Sequence, residues 1–254
     1  MTSVDTSLES TRRSILFLMG LFSLATLYPL WIIDYFPSVD GPAHVALAHI
    51  WRNLESPGFD LYREFYTASS LNNPNMLIYV LLYGLISFVP PFIAEKLVVS
   101  IFAVGLPWSV WYMTTYRNQL HGVVALLSFP LVYNYITFFG FYNFLFGTIF
   151  FCLVLGYWLR YRAVPDRPIF HGFNLSLLLV LAYFTHISSI VFTVMSICLL
   201  LAVEIIRNLF RAKYPGSAEV TTSGDLPALT QARNFIAAAL PASLLSLLFI
   251  LRIV

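Results

Sequence analysis

Charged residues are scarce in this chain: Asp, Glu, Lys and Arg together make up 10% of its 254 residues. A soluble domain of this length needs far more charge to cover its surface, so the composition excludes that class. The net formal charge of +2 is too small to indicate nucleic acid as a partner. The two cysteines, Cys152 and Cys198, both lie inside apolar runs, which argues against a disulfide framework and a thiolate metal site.

Several catalytic motifs are also missing. The chain has no Gly-rich phosphate loop, no Gly-x-Ser-x-Gly turn, no His-Glu-x-x-His pattern and no basic sensor helix. These motifs carry phosphate binding, acyl transfer, zinc hydrolysis and voltage sensing. Their absence disfavours a nucleotide-dependent enzyme or pump.

Apolar residues, by contrast, make up 59% of the chain and form long runs. The first, 14–33, has about 20 residues, enough for one span, and no small-residue cleavage pattern follows it. We therefore interpret it as a retained anchor rather than a signal peptide. The further runs are 76–93, 95–115, 122–138, 141–159, 170–186, 187–206 and 235–254. The sequence predicts an all-α polytopic membrane protein, a single transmembrane domain over 1–254 with about seven or eight transmembrane helices.

Basic residues predict the orientation of these spans. Arg12 and Arg13 place residues 1–13 in the cytoplasm, and the basic clusters at 160–167 and 207–233, with the loop 208–233, should lie on the same side. The 34–75 loop is then on the outer side. If every run between 76 and 159 crossed the membrane, the cluster at 160–167 would end outside. One run must therefore be short or re-entrant, and the polar end of 122–138 favours that one.

The long first outer loop carries two amphipathic segments, 42–54 and 61–68, which we expect to lie along the membrane surface. Asp40 directly precedes the first of them. It has two interpretations: a helix N-cap that satisfies free amides, or a partly desolvated catalytic base or metal ligand at the membrane edge. His44 follows one helical turn later on the same side, as an interfacial hydrogen-bonding group or as an acid–base partner.

Other polar residues are weaker candidates. Asp34 ends the first run, where a carboxylate is either a solvated helix end or a catalytic group. His186 is flanked by apolar residues and is either a functional group lining a cavity or a packed histidine. Tyr142 and Asn143, close to Gly140, line a polar cavity or belong to an aromatic interface belt. Two neighbouring candidates do not make a metal site, so the metal interpretation is weak.

Three segments carry a resemblance to a known family. They are Asp40-Gly41-Pro42-Ala43-His44, Gly140-Phe141-Tyr142-Asn143-Phe144-Leu145-Phe146-Gly147 and Tyr183-Phe184-Thr185-His186. With the layout of one span, a long acidic outer loop and further spans, they resemble the GT-C membrane glycosyltransferases of uncharacterised bacterial type. The first segment is similar to an Asp-x-x-x-His form of that family's first-loop acidic motif. The resemblance covers about residues 10–210.

This resemblance implies a transferase that uses a sugar on a polyprenyl-phosphate carrier at the outer face of a bacterial inner membrane. Asp40 would be the catalytic carboxylate, which deprotonates the acceptor or helps to bind a divalent cation such as Mg²⁺ or Mn²⁺. His44 and His186 would help to position the donor phosphate, and Asn143 and Tyr142 would be further donor-binding residues. Asp34 stays an additional catalytic candidate beside Asp40 and His44. The implied partners are the lipid-linked sugar donor and membrane lipids.

The chain also departs from the family. Members usually have more spans, so a C-terminal region that carries further catalytic elements is expected to be missing. We also find no clear second acidic residue on the outer side after the first loop. The alternatives are a transporter or lipid flippase, and a non-catalytic membrane subunit in which Asp40 only caps a helix. Transport is disfavoured because the polar residues group at one membrane edge rather than at the midplane, and no inverted repeat is visible.

Overall fold

The structure is a computed structural model that describes residues 3–68, 70, 72–164, 166–213 and 227–253. These residues form ten α-helices and one 3₁₀ helix, and no β-strand occurs among them. The helices are α1 (Ser3–Ile32), α2 (Gly41–Asn53), α3 (Asp60–Phe65), α4 (Leu77–Leu85), α5 (Pro91–Thr114), the 3₁₀ helix (Gln119–Leu131), α6 (Tyr135–Phe139), α7 (Tyr142–Tyr161), α8 (Pro168–Thr185), α9 (Ile187–Lys213) and α10 (Ala228–Ile253). The predicted all-α class is confirmed.

Six helices of the described chain, α1, α5, α7, α8, α9 and α10, are long and apolar enough to cross a membrane. Their outward faces carry large apolar side chains such as Phe17, Ile169 and Leu251, which are all more than 60% exposed. A soluble monomer rarely exposes apolar surface on this scale, but lipid tails cover it without cost. The protein is therefore an integral, polytopic membrane protein, as predicted.

The 3₁₀ helix Gln119–Leu131 runs alongside α1 in the same direction. The ring of Phe129 meets Phe22 edge-on with centroids 5.6 Å apart, and four residues later the Tyr133 hydroxyl donates to the Thr26 carbonyl at 2.7 Å. A 3₁₀ helix rises about 2.0 Å per residue, so this segment extends roughly 26 Å, close to the thickness of a bilayer core. The geometry differs from the expectation that 122–138 is re-entrant.

The run that stays at one end of the bundle is 76–93. Its helix α4 has nine residues, too few to span a bilayer. Both halves of α4 pack on the surface helix α2: Tyr79 bonds to His44, and the ring of Tyr83 lies 4.8 Å from that of Trp51. The described chain therefore passes along the bundle seven times, in α1, α5, the 3₁₀ helix, α7, α8, α9 and α10. Six of these helices are long and apolar enough to cross a membrane, and the exact number of spans stays a prediction.

The bundle has two chemically different ends. At the first, which we call the site end, α1 stops and α5 and α7 begin, and the Lys96 ammonium donates to the Ile33 carbonyl at 2.6 Å. At the other, the basic end, Arg160 donates to the Thr115 hydroxyl at 3.0 Å and Arg162 pairs with Glu204 at 2.5 Å. The seven passes thus put the first outer loop and the 160–167 basic cluster at opposite ends. Residues 214–226 of the predicted 208–233 loop lie outside the described residues, and which end faces the cytoplasm stays a prediction.

Candidate functional site

Two of the segments singled out in the sequence meet at the site end. The amide of Val39 donates to the Phe138 carbonyl at 2.9 Å, and the amide of Asp40 donates to the Phe139 carbonyl at 3.0 Å. These bonds fasten the loop before α2 to the end of α6. Gly140 then turns the chain into α7 with a φ of +85°, and a Cβ there would lie 2.8 Å from the Gly41 amide nitrogen. Only glycine combines this left-handed turn with so close an approach.

Asp40 occupies the N-cap position of α2 but does not cap it. Its φ and ψ are −93° and −12°, and its side chain makes no capping hydrogen bond. Within the described residues the carboxylate has no hydrogen-bond partner, and the residue is half-buried. The interpretation of Asp40 as a side-chain cap is therefore wrong. The carboxylate remains available to accept a proton at the membrane edge.

His44 lies beside Asp40 as a neutral imidazole. Its Nδ1 is 2.9 Å from the Tyr79 hydroxyl. Burial lowers the pKa of His44 below its ordinary value, while the carboxylate of Asp40, the carbonyl of Gly140 and the carboxylate of Glu95 act in the opposite direction. Burial also raises the pKa of Tyr79, with Asp40 adding to the effect, so this phenol stays protonated. Asp40 and His44 are thus close enough to interact electrostatically, with Tyr79 as a third member. No side-chain hydrogen bond joins Asp40 to His44 within the described residues, and their acid–base partnership stays a prediction.

Glu95 is a second acid in this cluster, and sequence reasoning missed it. It lies in the second turn of α5, is 6% exposed, and its Oε1 accepts hydrogen bonds from the Ser38 hydroxyl at 2.7 Å and the Tyr142 hydroxyl at 2.6 Å. A Cβ on Gly41 would overlap this group of oxygen atoms. The expectation of no second acid after the first loop is therefore wrong. The available signal was an acidic residue at the start of an apolar run, where ionisable groups are rare.

The two predicted donor-binding residues of α7 hold the site together. Tyr142 is 1% exposed and donates to Glu95. Asn143 is 7% exposed, and its Oδ1 accepts a hydrogen bond from the backbone amide of Ile78 at 3.3 Å, which fixes the start of α4. Both side chains therefore position neighbouring segments of the site. Their role in donor binding stays a prediction.

The structure does not bring His186 or Asp34 into this cluster. His186 directly precedes α9, and its Nδ1 lies 2.6 Å from the Ser188 hydroxyl and accepts from the Ser188 amide at 3.2 Å. The imidazole thus caps α9, and its ring packs edge-on against Phe144. Asp34 is exposed just after the end of α1. Four of the six predicted site residues lie together: Asp40, His44, Tyr142 and Asn143. The other two, His186 and Asp34, lie outside this group.

The cluster borders an open cleft of about 500 Å³ between α2, α3 and the start of α5. We call it the Glu95 cleft, because Glu95 is its one acidic lining residue. Its walls are mostly aromatic and aliphatic: Tyr35, Phe36, Pro42, Val45, Ala46, His49, Ile50, Tyr62, Pro91 and Phe92. A second cleft of about 180 Å³, lined partly by Tyr79, lies along α2 toward Met76. Glu95 and Tyr79 are thus the members of the polar cluster that line these two clefts.

Metal binding finds little support in this arrangement. No group of three His, Cys, Asp or Glu side chains in the described part of the chain is placed to hold a metal ion. Mg²⁺ and Mn²⁺ favour several oxygen ligands at once. The residues present do not fit the divalent cation that the resemblance allows, so we derive no chemical step through one.

Comparisons with known proteins do not test the resemblance to the GT-C family, which therefore stays a prediction. The resemblance depends on short segments, and the structure shows that two of the three form one site. The geometry of that site therefore carries the functional argument. The chain matches no protein-family model, no curated protein and no solved structure.

Proposed function

We propose that the protein is a GT-C-like membrane glycosyltransferase, which transfers a sugar from a polyprenyl-phosphate donor to an acceptor hydroxyl at the outer face of a bacterial inner membrane. The observation that carries this proposal is the Asp40 carboxylate, which lies at a helix start without capping it and next to the neutral His44. A carboxylate held in this way, half-buried and free of hydrogen bonds within the described residues, has the properties of a general base.

The proposed reaction is a displacement at the anomeric carbon of the donor sugar. Asp40 takes the proton from the acceptor hydroxyl as its oxygen forms the new bond to that carbon. The bond from the anomeric carbon to the phosphate oxygen breaks, and its electron pair leaves with the polyprenyl phosphate. Because phosphate is a good leaving group, activation of the nucleophile is the main task of the protein.

The departing phosphate needs polar hydrogens or positive charge beside it. His186 makes its hydrogen bonds to Ser188 and not to the cluster, so we assign this task to His44 and the start of α2. Because Asp40 makes no side-chain cap, the amides of Gly41 and Ala43 in the first turn of this 13-residue helix lack that partner. Pro42 has no N–H, and the amide of His44 donates to the Asp40 carbonyl. A helix start of this kind attracts phosphate oxygens.

The location of the cluster supports transfer over transport. Its members, Ser38, Asp40, His44, Tyr79, Glu95 and Tyr142, all lie at the site end of the bundle. Transporters place their binding groups near the midplane of the membrane. A site at the edge allows a polyprenyl tail to stay in lipid while the sugar meets water. We assign the site end to the outer face because more of the arginines lie toward the basic end, although Arg52, Arg63 and Arg252 lie at the site end.

The test is sugar transfer or hydrolysis by the protein in nanodiscs, with a panel of radiolabelled polyprenyl-phosphate sugars. Asp40→Asn should reduce turnover by about 10²–10⁴-fold, the usual contribution of a general base, while the melting temperature stays near that of the wild type. Asp60→Asn, an exposed change on α3 at the same end, is the matched control and should retain activity.

Two results would contradict the proposal. Wild-type turnover in Asp40→Asn would show that Asp40 is not the base. A folded wild-type protein that neither binds nor turns over any donor of the panel would remove the glycosyltransferase assignment.

A further inference from the structure

Only one of the two carboxylate oxygens of Glu95 accepts hydrogen bonds from the described residues. Oε1 accepts both hydroxyl hydrogen bonds, from Ser38 and from Tyr142. Oε2 has no hydrogen-bond partner among the described residues, and the side chain lines the Glu95 cleft. A carboxylate that is 94% buried therefore presents a free oxygen to an open cavity.

The charge of Glu95 has no counter-ion within the described chain. No Lys, Arg or His nitrogen there lies within 4.0 Å of its oxygens. The neighbouring Lys96 turns away, toward the carbonyl of Ile33 and the ring of Trp31. A buried carboxylate without a cation is costly, because two hydroxyl donors replace only part of its lost hydration. A cation bound in the cleft would therefore stabilise the carboxylate of Glu95.

The walls of the cleft also suit a cation. The rings of Tyr35 and Phe92 pack together with centroids 5.4 Å apart, and Phe36 and Tyr62 add further aromatic faces. Aromatic faces attract ammonium groups through the ring quadrupole, most strongly where water is excluded. The volume of about 500 Å³ lies within the range of small-molecule sites. An anionic group placed directly against Oε2 of Glu95 would be repelled, whereas an ammonium group would be attracted.

We propose that the Glu95 cleft binds the headgroup of a membrane lipid that ends in a primary ammonium group. The ammonium donates a hydrogen bond to Oε2 of Glu95 and lies among the aromatic rings, while the aliphatic wall formed by Val45 and Ile50 meets the glycerol and upper acyl region. A primary ammonium has three N–H donors, whereas a quaternary ammonium has none and cannot bond to Oε2. The inference is independent of the proposed transfer reaction, because it needs neither Asp40 nor a sugar donor.

The test uses native mass spectrometry and thermal unfolding of the purified full chain in detergent, with three lipids of identical acyl chains. These are phosphatidylethanolamine, phosphatidylcholine and phosphatidylglycerol. The wild type should bind phosphatidylethanolamine about tenfold more tightly than either of the others, as expected for one hydrogen bond to a charged group. The thermal shift on adding that lipid should be correspondingly larger.

Glu95→Gln is the informative variant, because its amide oxygen still accepts from Ser38 and Tyr142 while the charge is removed. It should lose the preference for phosphatidylethanolamine. Glu55→Gln removes the same charge from an exposed position at the same end and should keep the preference. Phe92→Leu keeps the cleft apolar and leaves the hydrogen bonds of Glu95 untouched. It should weaken the preference over phosphatidylglycerol, which has no ammonium group to lie on the aromatic rings.

Three results would overturn the inference: equal binding of the three lipids by the wild type, an unchanged preference in Glu95→Gln, or an unchanged preference over phosphatidylglycerol in Phe92→Leu. The last variant decides the matter if Glu95→Gln does not fold. Loss of the lipid preference with intact sugar transfer, or the reverse, separates this site from the proposed reaction.

Discussion

Gly140→Ala tests whether the close approach between the α6–α7 turn and the Asp40 loop holds the site together. Gly140 has a φ of +85°, and an added Cβ would lie 2.8 Å from the Gly41 amide nitrogen and 3.1 Å from the Asp40 amide nitrogen. Atoms this close must move apart, and both neighbours are backbone atoms that cannot rotate away. The substitution should therefore have two effects: it should strain the turn at residue 140, and it should push the loop that carries Asp40 away from that turn.

The chain offers a matched control for the first of these effects. Gly58 has nearly the same φ, +86°, but a Cβ there would meet nothing within 4 Å. Alanine in the left-handed region costs about 1–2 kcal/mol, so both variants should lose that much. Gly140→Ala adds the cost of overpacking, about 1–3 kcal/mol. The difference between the two variants isolates the contact with Asp40 and Gly41.

The measurement is thermal unfolding of both variants in the same detergent, followed by circular dichroism. A further loss of about 2 kcal/mol corresponds to a difference of roughly 4–8 °C for a chain of this size, with Gly140→Ala the less stable variant. Sugar-transfer activity should fall in Gly140→Ala and persist in Gly58→Ala. Equal melting temperatures would refute the reasoning, because they would show that the backbone of the Asp40 loop does not lie against Gly140.

Two further predictions concern the polar cluster. Tyr142→Phe removes one of the two hydroxyls that donate to Glu95 and should cost about 1.5–3 kcal/mol in a denaturant titration, whereas Tyr28→Phe, at an exposed position of α1, should cost almost nothing. If Ser38→Ala lowered the free energy of unfolding by this amount and Tyr142→Phe did not lower it, the result would contradict the arrangement in which both hydroxyls donate to Glu95. The lowered pKa of His44 means that the folded protein binds a proton there less readily than the unfolded chain, so its contribution to stability is complete above pH 6.5 and is lost as the pH falls through the lower folded pKa. The wild type should therefore lose more stability between pH 7.5 and pH 5 than His44→Gln does, and identical pH profiles would rule out a buried neutral imidazole.

The sequence was a good guide to the acidic loop and a poor one to the full cluster. Asp40 and His44 are four residues apart, so helical spacing alone places them on one side. Glu95 joins them across 57 residues of chain, through Ser38, and across 47 residues, through Tyr142. No local pattern links positions that far apart. The capping role of Asp40 failed for a related reason, since tertiary hydrogen bonds to α6 set the backbone of the loop.

The sequence was also a poor guide to which apolar runs pass along the whole bundle. Hydropathy finds apolar runs but not the rise per residue of the helix that each run forms. The segment 119–131 becomes a 3₁₀ helix, whose greater rise lets thirteen residues reach most of the way across a bilayer. The run 76–93 is equally apolar, but Ser87 to Pro90 interrupt it, and it remains beside α2.

Composition and hydropathy by themselves determined that this chain is helical and lies in a membrane, because apolar runs without charge can be satisfied there only by internal backbone hydrogen bonds. Short spacing also determined the pairing of Asp40 with His44. Tertiary structure alone decided which further groups reach that pair. It placed Glu95 and Tyr142 beside the loop and left His186 and Asp34 outside, because helix packing, and not sequence distance, sets which ends of the spans meet.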